Sequence, residues 1–209
     1  AFDGSLTDAK IGTNSVDRLL SGATRLTGSA ARTEDGLIFR ELVLSNPQAE
    51  ARIDGSFATR RANLQIKATI SEMARIVDNA SGRLTLDASV NKPEGSSREA
   101  SYDVTARLGL ANARLADRAV PSADLTFDGR IAGADIIGAI SGDGSIGGEE
   151  LAVKASLVRG EDRASLSGLS LSVGTARLNG DLSSENGRVE GQIAIAANDI
   201  APLAALALV

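Results

Sequence analysis

Short stretches of this chain alternate apolar residues with small or polar ones, and the pattern recurs almost to the last residues. Leu64-Gln-Ile66-Lys-Ala68-Thr-Ile70, Leu84-Thr-Leu86-Asp-Ala88-Ser-Val90 and Ala176-Arg-Leu178-Asn-Gly180-Asp-Leu182 are three such runs, and Gly, Asn, Asp or Ser punctuates the boundaries. A period of two gives strands with one greasy and one wet face. Aromatics are only 2% of the 209 residues, so any core must be built from Leu, Ile, Val and Ala. Small aliphatic side chains favour a thin layer over a thick centre. The chain is therefore expected to be mainly β, an elongated repetitive sheet with short helical inserts.

The helical inserts are expected where the period changes. Ser15–Leu20 reads as a short turn capped by Ser15, and Ser71–Asn79 as a short helix capped by Ser71 with Met73, Ile76 and Val77 on one face. A last short helix is expected after Asn198 or Asp199, through Leu203 and Leu206. Asn91–Ala100 reads as a long polar hairpin loop, Ala134–Ile140 as either a helical turn or a strand, and Gly142–Glu149 as a Gly-rich turn region.

Two stretches can be laid over each other. Leu42 matches Leu169 and Met73 matches Ile200 at a shift of 127 residues, while Gly55 matches Gly180 at 125. The shared unit is strand, strand with a terminal glycine, strand, short helix. A unit of this kind cannot bury its own apolar face, so neighbours stack. The expected organisation is one elongated β domain, 1–209, with related units at about 22–80 and 150–209 joined by a strand-rich segment, 81–149.

Composition excludes several classes of function. The net charge of -5 and the absence of a basic stripe argue against nucleic acid, since Arg60-Arg61 is the densest basic spot. There is no Cys and no His, which removes thiolate chemistry, disulfides, the commonest general base and the commonest zinc ligand. No stretch reaches the length of a membrane span. Glu149-Glu150 and Asp143 lie near glycines and are expected to decorate a solvated turn rather than cleave glycosides, because sugar-stacking aromatics are missing. Gly142-Asp-Gly144-Ser-Ile-Gly147-Gly148 lacks the Gly-Lys-Ser/Thr of a phosphate loop, and Asn79-Ala-Ser81 is an isolated acceptor triplet. No catalytic residue, cofactor or metal site is expected, and the chain reads as a non-enzyme.

Four phrases carry a resemblance: Gly36-Leu-Ile-Phe-Arg-Glu-Leu-Val-Leu44, Ala49-Glu-Ala-Arg-Ile-Asp-Gly55, Ile70-Ser-Glu-Met-Ala-Arg-Ile76 and Ala197-Asn-Asp-Ile-Ala-Pro-Leu203. In these words the chain resembles the TamB and AsmA-like family of Gram-negative envelope proteins, as an internal or late segment of the body. The resemblance implies a sheet curled into an open groove with an apolar lining. It also implies a periplasmic location in a protein anchored in the inner membrane by a helix outside this segment, and an outer-membrane partner of the Omp85 class. The implied work is phospholipid transport between membranes, assembly of outer-membrane β-barrel proteins, or both.

With no chemically distinctive residue, the candidate site is a strip of strand residues. Ile53, Phe57, Leu64, Ile66, Leu84, Leu86, Val104, Leu125, Phe127, Ile131, Leu151, Val153, Leu178, Val189 and Ile193 are the candidate lining. Its cargo would be phospholipid acyl chains or the strands of a β-barrel client. The same residues would equally form a closed dry core. The alternative function is a client-binding or structural β module that acts by strand pairing, without lipid cargo.

Overall fold

The computed structural model describes residues 1–209 except 11, 13, 35, 59–60, 78, 93–100, 116–117 and 199–209. Its strands are β1 (Phe2–Thr7), β2 (Ala23–Thr33), β3 (Gly36–Ser45), β4 (Ala49–Phe57), β5 (Ala62–Ile70), β6 (Ala80–Lys92), β7 (Ser101–Leu115), β8 (Arg118–Ala132), β9 (Asp135–Ile146), β10 (Glu149–Arg159), β11 (Arg163–Val173), β12 (Ala176–Glu185) and β13 (Arg188–Ala196). They form one 13-stranded sheet whose spatial order is the chain order. Every neighbouring pair is antiparallel. β1 and β13 do not pair, so the sheet is open, and twelve inter-strand steps give it a length of roughly 58 Å.

The meander follows from its turns. Asn186 (φ 50) and Gly187 (φ 79) both take the positive φ that a two-residue hairpin demands. At the β3–β4 turn, Asn46 Oδ1 accepts from the backbone N–H of Gln48 and of Ala49, each at 2.8 Å. Its Nδ2 donates to the carbonyl of Leu19 at 2.7 Å, which ties the end of α1 (Asn14–Leu19) to the sheet.

The main buried cluster lies along the margin that carries the helical inserts. Met73, Ala113, Val120, Ile146, Val173 and Ala176 are each at most 4% exposed and form one cluster. Met73 begins a one-turn 3-10 helix, Met73–Arg75, that covers this margin beside Ala80. The expected helix is thus a single turn, and its cap is Glu72 rather than Ser71. The Glu72 carboxylate accepts from the N–H of Ala74 (3.3 Å) and of Gly82 (3.1 Å), and so reaches two chain segments, which the shorter serine hydroxyl is poorly placed to do. Val77 is 45% exposed and does not share the buried face of Met73.

Two further expectations change. Residues 135–146 are one strand, so the region 142–149 is a turn only at Gly147-Gly148. Gly142 and Gly144 serve close approach instead: a Cβ on Gly142 would lie 2.7 Å from the Asp124 carbonyl oxygen, and one on Gly144 2.6 Å from Ala123 Cα. Asn91 and Lys92 belong to β6, while the rest of the expected loop, 93–100, and the expected helix after Asp199 lie outside the described residues.

The sequence repeat has a counterpart in register. β2–β5 and β10–β13 pair identically at a shift of 127 residues, bulges included. Leu26↔Leu44 becomes Val153↔Leu171, Leu42↔Ile53 becomes Leu169↔Gly180, and Ile53↔Ile66 becomes Gly180↔Ile193. The bulge between Phe39 and Leu42 recurs between Leu166 and Leu169. In both copies the bulged residue has positive φ (Glu41, 47; Gly168, 59) and donates its N–H to an aspartate on the next strand. The distances are 2.9 Å to Asp54 and 2.8 Å to Asp181. The counterpart of Gly180 is therefore Ile53, not Gly55, because the bulge aspartates and not the glycines mark equivalent positions.

Equivalence of the two bulges is testable in urea. Asp54→Ala and Asp181→Ala should each lose about 0.5–1.5 kcal/mol of stability, and the double variant the sum. Gly168→Glu, which copies the residue at the equivalent site, should cost only about 1–2 kcal/mol, because open space lies beside Gly168 and the cost is that of the left-handed backbone alone. A neutral Asp181→Ala beside a costly Asp54→Ala would show that the second bulge is held differently.

Candidate functional site: the apolar face of the sheet

Register turns the alternation of single strands into a continuous surface. One line of directly opposed residues crosses all thirteen strands: Gly4, Leu26, Leu44, Ala51, Ala68, Leu86, Leu108, Leu125, Gly142, Val153, Leu171, Leu178 and Ile195. Because side chains alternate along each strand, the neighbouring in-phase lines point to the same face. Ile53, Ile66 and Phe127 lie on the next line, which runs through Ala88 and Ala106. Leu64 and Val104 lie on the one beyond, joined by Val90. Phe57 pairs with Ala62, Ile131 with Tyr102, and Val189 with Ser184, on the line nearest the other margin. Leu84 and Leu151 lie toward the buried margin, and Ile193 opposes Gly180. All fifteen candidate residues thus share one face.

That face is half-covered, not buried. In the middle of β6 and β7, over Leu84–Val90 and Val104–Leu110, the inward residues are of intermediate exposure and most outward ones are exposed. Among the candidates Leu64 is 9% exposed, whereas Leu125 is 40%, Ile193 50% and Val189 69%. A sheet packed against a second layer would bury these positions. No second layer stands over this one among the described residues: strand packing runs between consecutive strands, and the helical inserts touch only one margin. The fold is an elongated, open, groove-like sheet.

The lining is uneven in depth. The ring of Phe127 lies against the Gly129–Gly138 pair, where an added Cβ would come within 2.7 Å of ring carbons. Near the margin opposite the helices, Phe57 and Tyr102 stack at 5.0 Å between centroids. Lys92, only 5% exposed, holds its Nζ 5.5 Å above the Tyr102 ring. The Tyr102 hydroxyl donates to the Ala58 carbonyl at 3.4 Å. Sequence reasoning passed over Leu108, Leu171 and Ile195, although the same alternation marks them. It also passed over Lys92 and Tyr102, for which strand period alone gave no signal.

The opposite face is polar. Lys67–Asp87, Arg107–Asp124 and Arg130–Asp103 form ion pairs across strands at 2.9–3.3 Å. Ser89–Thr105 and Thr126–Ser141 bond hydroxyl to hydroxyl at 2.7 Å. The ion pairs are exposed, so they keep this face wet and hold register more than they stabilise. The hydrogen bond from the Arg107 guanidinium holds the Asp124 carboxyl below the usual carboxylate range and raises Arg107 in turn. Among the described residues, no group of three or more acidic side chains is placed to hold a metal ion, and no helix is long and apolar enough to cross a membrane. Comparisons with family models, with curated proteins and with solved structures return no match.

Asp124 offers a direct check of the polar face. A lowered folded-state pKa adds stability that is present above the unfolded value and is lost as pH falls through the folded one. Carboxyl-carbon NMR should show Asp124 titrating below Asp residues without a cationic neighbour, and Arg107→Gln should move it up. An unchanged midpoint in that variant would mean that the pair does not persist in solution.

Proposed function

We propose that the chain is a non-enzymatic conduit or scaffold segment of the periplasm, whose apolar groove carries phospholipid acyl chains between membranes. The observation that carries this reading is the half-exposed aliphatic line from Leu26 to Ile195, interrupted only by Gly142 and never by a charge. Exposed apolar surface costs roughly 25 cal/mol per Å², so a groove of this length favours an apolar occupant. A methylene chain gains about 0.8 kcal/mol per buried CH₂. An aliphatic lining with few polar anchors holds such a chain without fixing its position, which suits sliding. The resemblance to TamB and AsmA-like proteins supports the periplasmic setting, an inner-membrane anchor elsewhere in the protein, an Omp85-class partner and a role in β-barrel assembly. A second reading, strand pairing without lipid cargo, draws on β13, which is exposed throughout and ends the sheet among the described residues.

The lining separates binding from folding. Leu86→Asp and Leu108→Asp, at two lining positions that do not pack against the buried cluster, should leave the far-UV spectrum intact and lower uptake of a labelled phospholipid at least about tenfold, since burying a carboxylate against acyl chains is strongly unfavourable. Val120→Asp, in the 2%-exposed core, should unfold the protein instead. A folded wild-type protein that carries no lipid in native mass spectrometry and takes up none from vesicles would count against transport.

A further inference from the structure

The lining changes character near the margin opposite the helices. The three in-phase lines that run through Leu86, Ile66 and Leu64 carry no charge on any strand. The next line out, through Phe57, Ala62 and Ile131, carries Arg32, Lys92 and Arg159 and no acid, in a chain whose net charge is -5. Arg32 and Arg159 are equivalents in the repeat: Arg32↔Leu37 becomes Arg159↔Ala164. The likeness continues into the turn beyond each, as Arg32-Thr-Glu34-Asp35 and Arg159-Gly-Glu161-Asp162. Asp35 lies outside the described residues.

At the second of these turns Arg159, Glu161, Asp162, Arg163, Ser184 and Asn186 line a hollow of about 330 Å³. Two backbone bonds brace it. Gly160 N–H donates to the Arg163 carbonyl at 2.8 Å, and Asn186 N–H to the Asp162 carbonyl at 2.9 Å, which ties the β10–β11 turn to the β12–β13 turn. The apolar lining reaches the hollow directly, since Leu157, Leu166 and Leu182 stand two residues inward of Arg159, Ala164 and Ser184. We propose that this hollow seats the headgroup of a phospholipid whose phosphate carries a primary ammonium group, with the acyl chains running over those three leucines. The turn of Arg32 and Glu34 is an equivalent station, eight strand steps or about 38 Å along the sheet. The planar guanidinium of Arg159 matches the phosphate in charge and in its fork of donors. Glu161 and Asp162 accept from the ammonium. Both signs are needed for the fit. A headgroup with a phosphate alone sets its charge beside two carboxylates. A quaternary ammonium has no N–H to donate and meets no aromatic ring in this lining. Lys92, 5% exposed and held over the Tyr102 ring, lies on the line between the stations. Seating a headgroup here rests on the acyl-chain groove proposed above.

The test is uptake from vesicles of equal parts phosphatidylethanolamine, phosphatidylcholine and phosphatidylglycerol, read by native mass spectrometry of the full chain. The contacts are exposed, so the ethanolamine lipid should be enriched about threefold over each of the others. Arg32→Gln/Arg159→Gln should erase that enrichment without changing the far-UV spectrum. Glu34→Gln/Glu161→Gln/Asp162→Asn should shift it toward phosphatidylglycerol. Equal uptake of the three lipids, or an enrichment that neither variant alters, would overturn the assignment. Glycerophosphoethanolamine, which has the headgroup and no acyl chain, separates the headgroup site from the groove. If no lipid enters the protein, the groove reading fails, and the site is judged by the amide NMR signals of Gly160 and Asn186. Shifts induced by glycerophosphoethanolamine and lost in Arg159→Gln would uphold it. No shifts, or equal shifts from inorganic phosphate, would overturn it.

Discussion

Everything in this sheet depends on keeping the two-residue alternation of thirteen strands in phase. A slip of one residue in any strand would turn its apolar set to the wet face. The bulges are where that phase is at risk, and they are built with care. Phe39 and Leu42 are three residues apart yet face the same way, because the bulge at Glu41 absorbs one residue while Gly55 and Ile53 opposite them are two apart. Asp54 pins that bulge by accepting its N–H, and Asp181 does the same for Gly168. The continuous apolar face is thus a consequence of local backbone chemistry repeated along the chain.

The sheet divides its apolar surface into two kinds. Along the helical margin, Met73 and the ends of six strands, β6–β9 and β11–β12, form a dry core that holds the structure together. Across the middle, the same aliphatic residue types remain half-exposed because nothing packs over them. The split explains how a chain with 2% aromatics folds without a thick centre. The two kinds meet at Leu84, Leu151 and Leu178, which belong to the lining and also pack against the core.

Much of this was legible before any coordinates. Strict alternation in runs such as Leu84–Val90 placed the fifteen candidate residues on a face, and antiparallel register made it the same face. Glycine was the main source of misreading. Gly142 and Gly144 looked like a turn, but their neighbours Asp124 and Ala123 leave no room for a side chain, a constraint set across strands and invisible along the chain. Aligning Gly55 with Gly180 failed for a related reason: glycines mark where backbones approach closely, which need not recur at the same step of each unit. The Glu72 cap was missed because its second acceptor role reaches Gly82, beyond the local window in which a cap is sought.

The central claim is that the face through Leu108 is an open groove that takes acyl chains. The chain has no cysteine, so single cysteines carrying spin labels can be placed along β7 without a background. The decisive measurement is paramagnetic accessibility at Val104, Ala106 and Leu108 against Asp103, Thr105 and Arg107, with and without phospholipid vesicles. The account predicts that the first three lose access to a water-soluble relaxer and gain access to oxygen when lipid is added, while the other three do not change. No lipid-dependent change at any position, or an equal change on both faces, would contradict it.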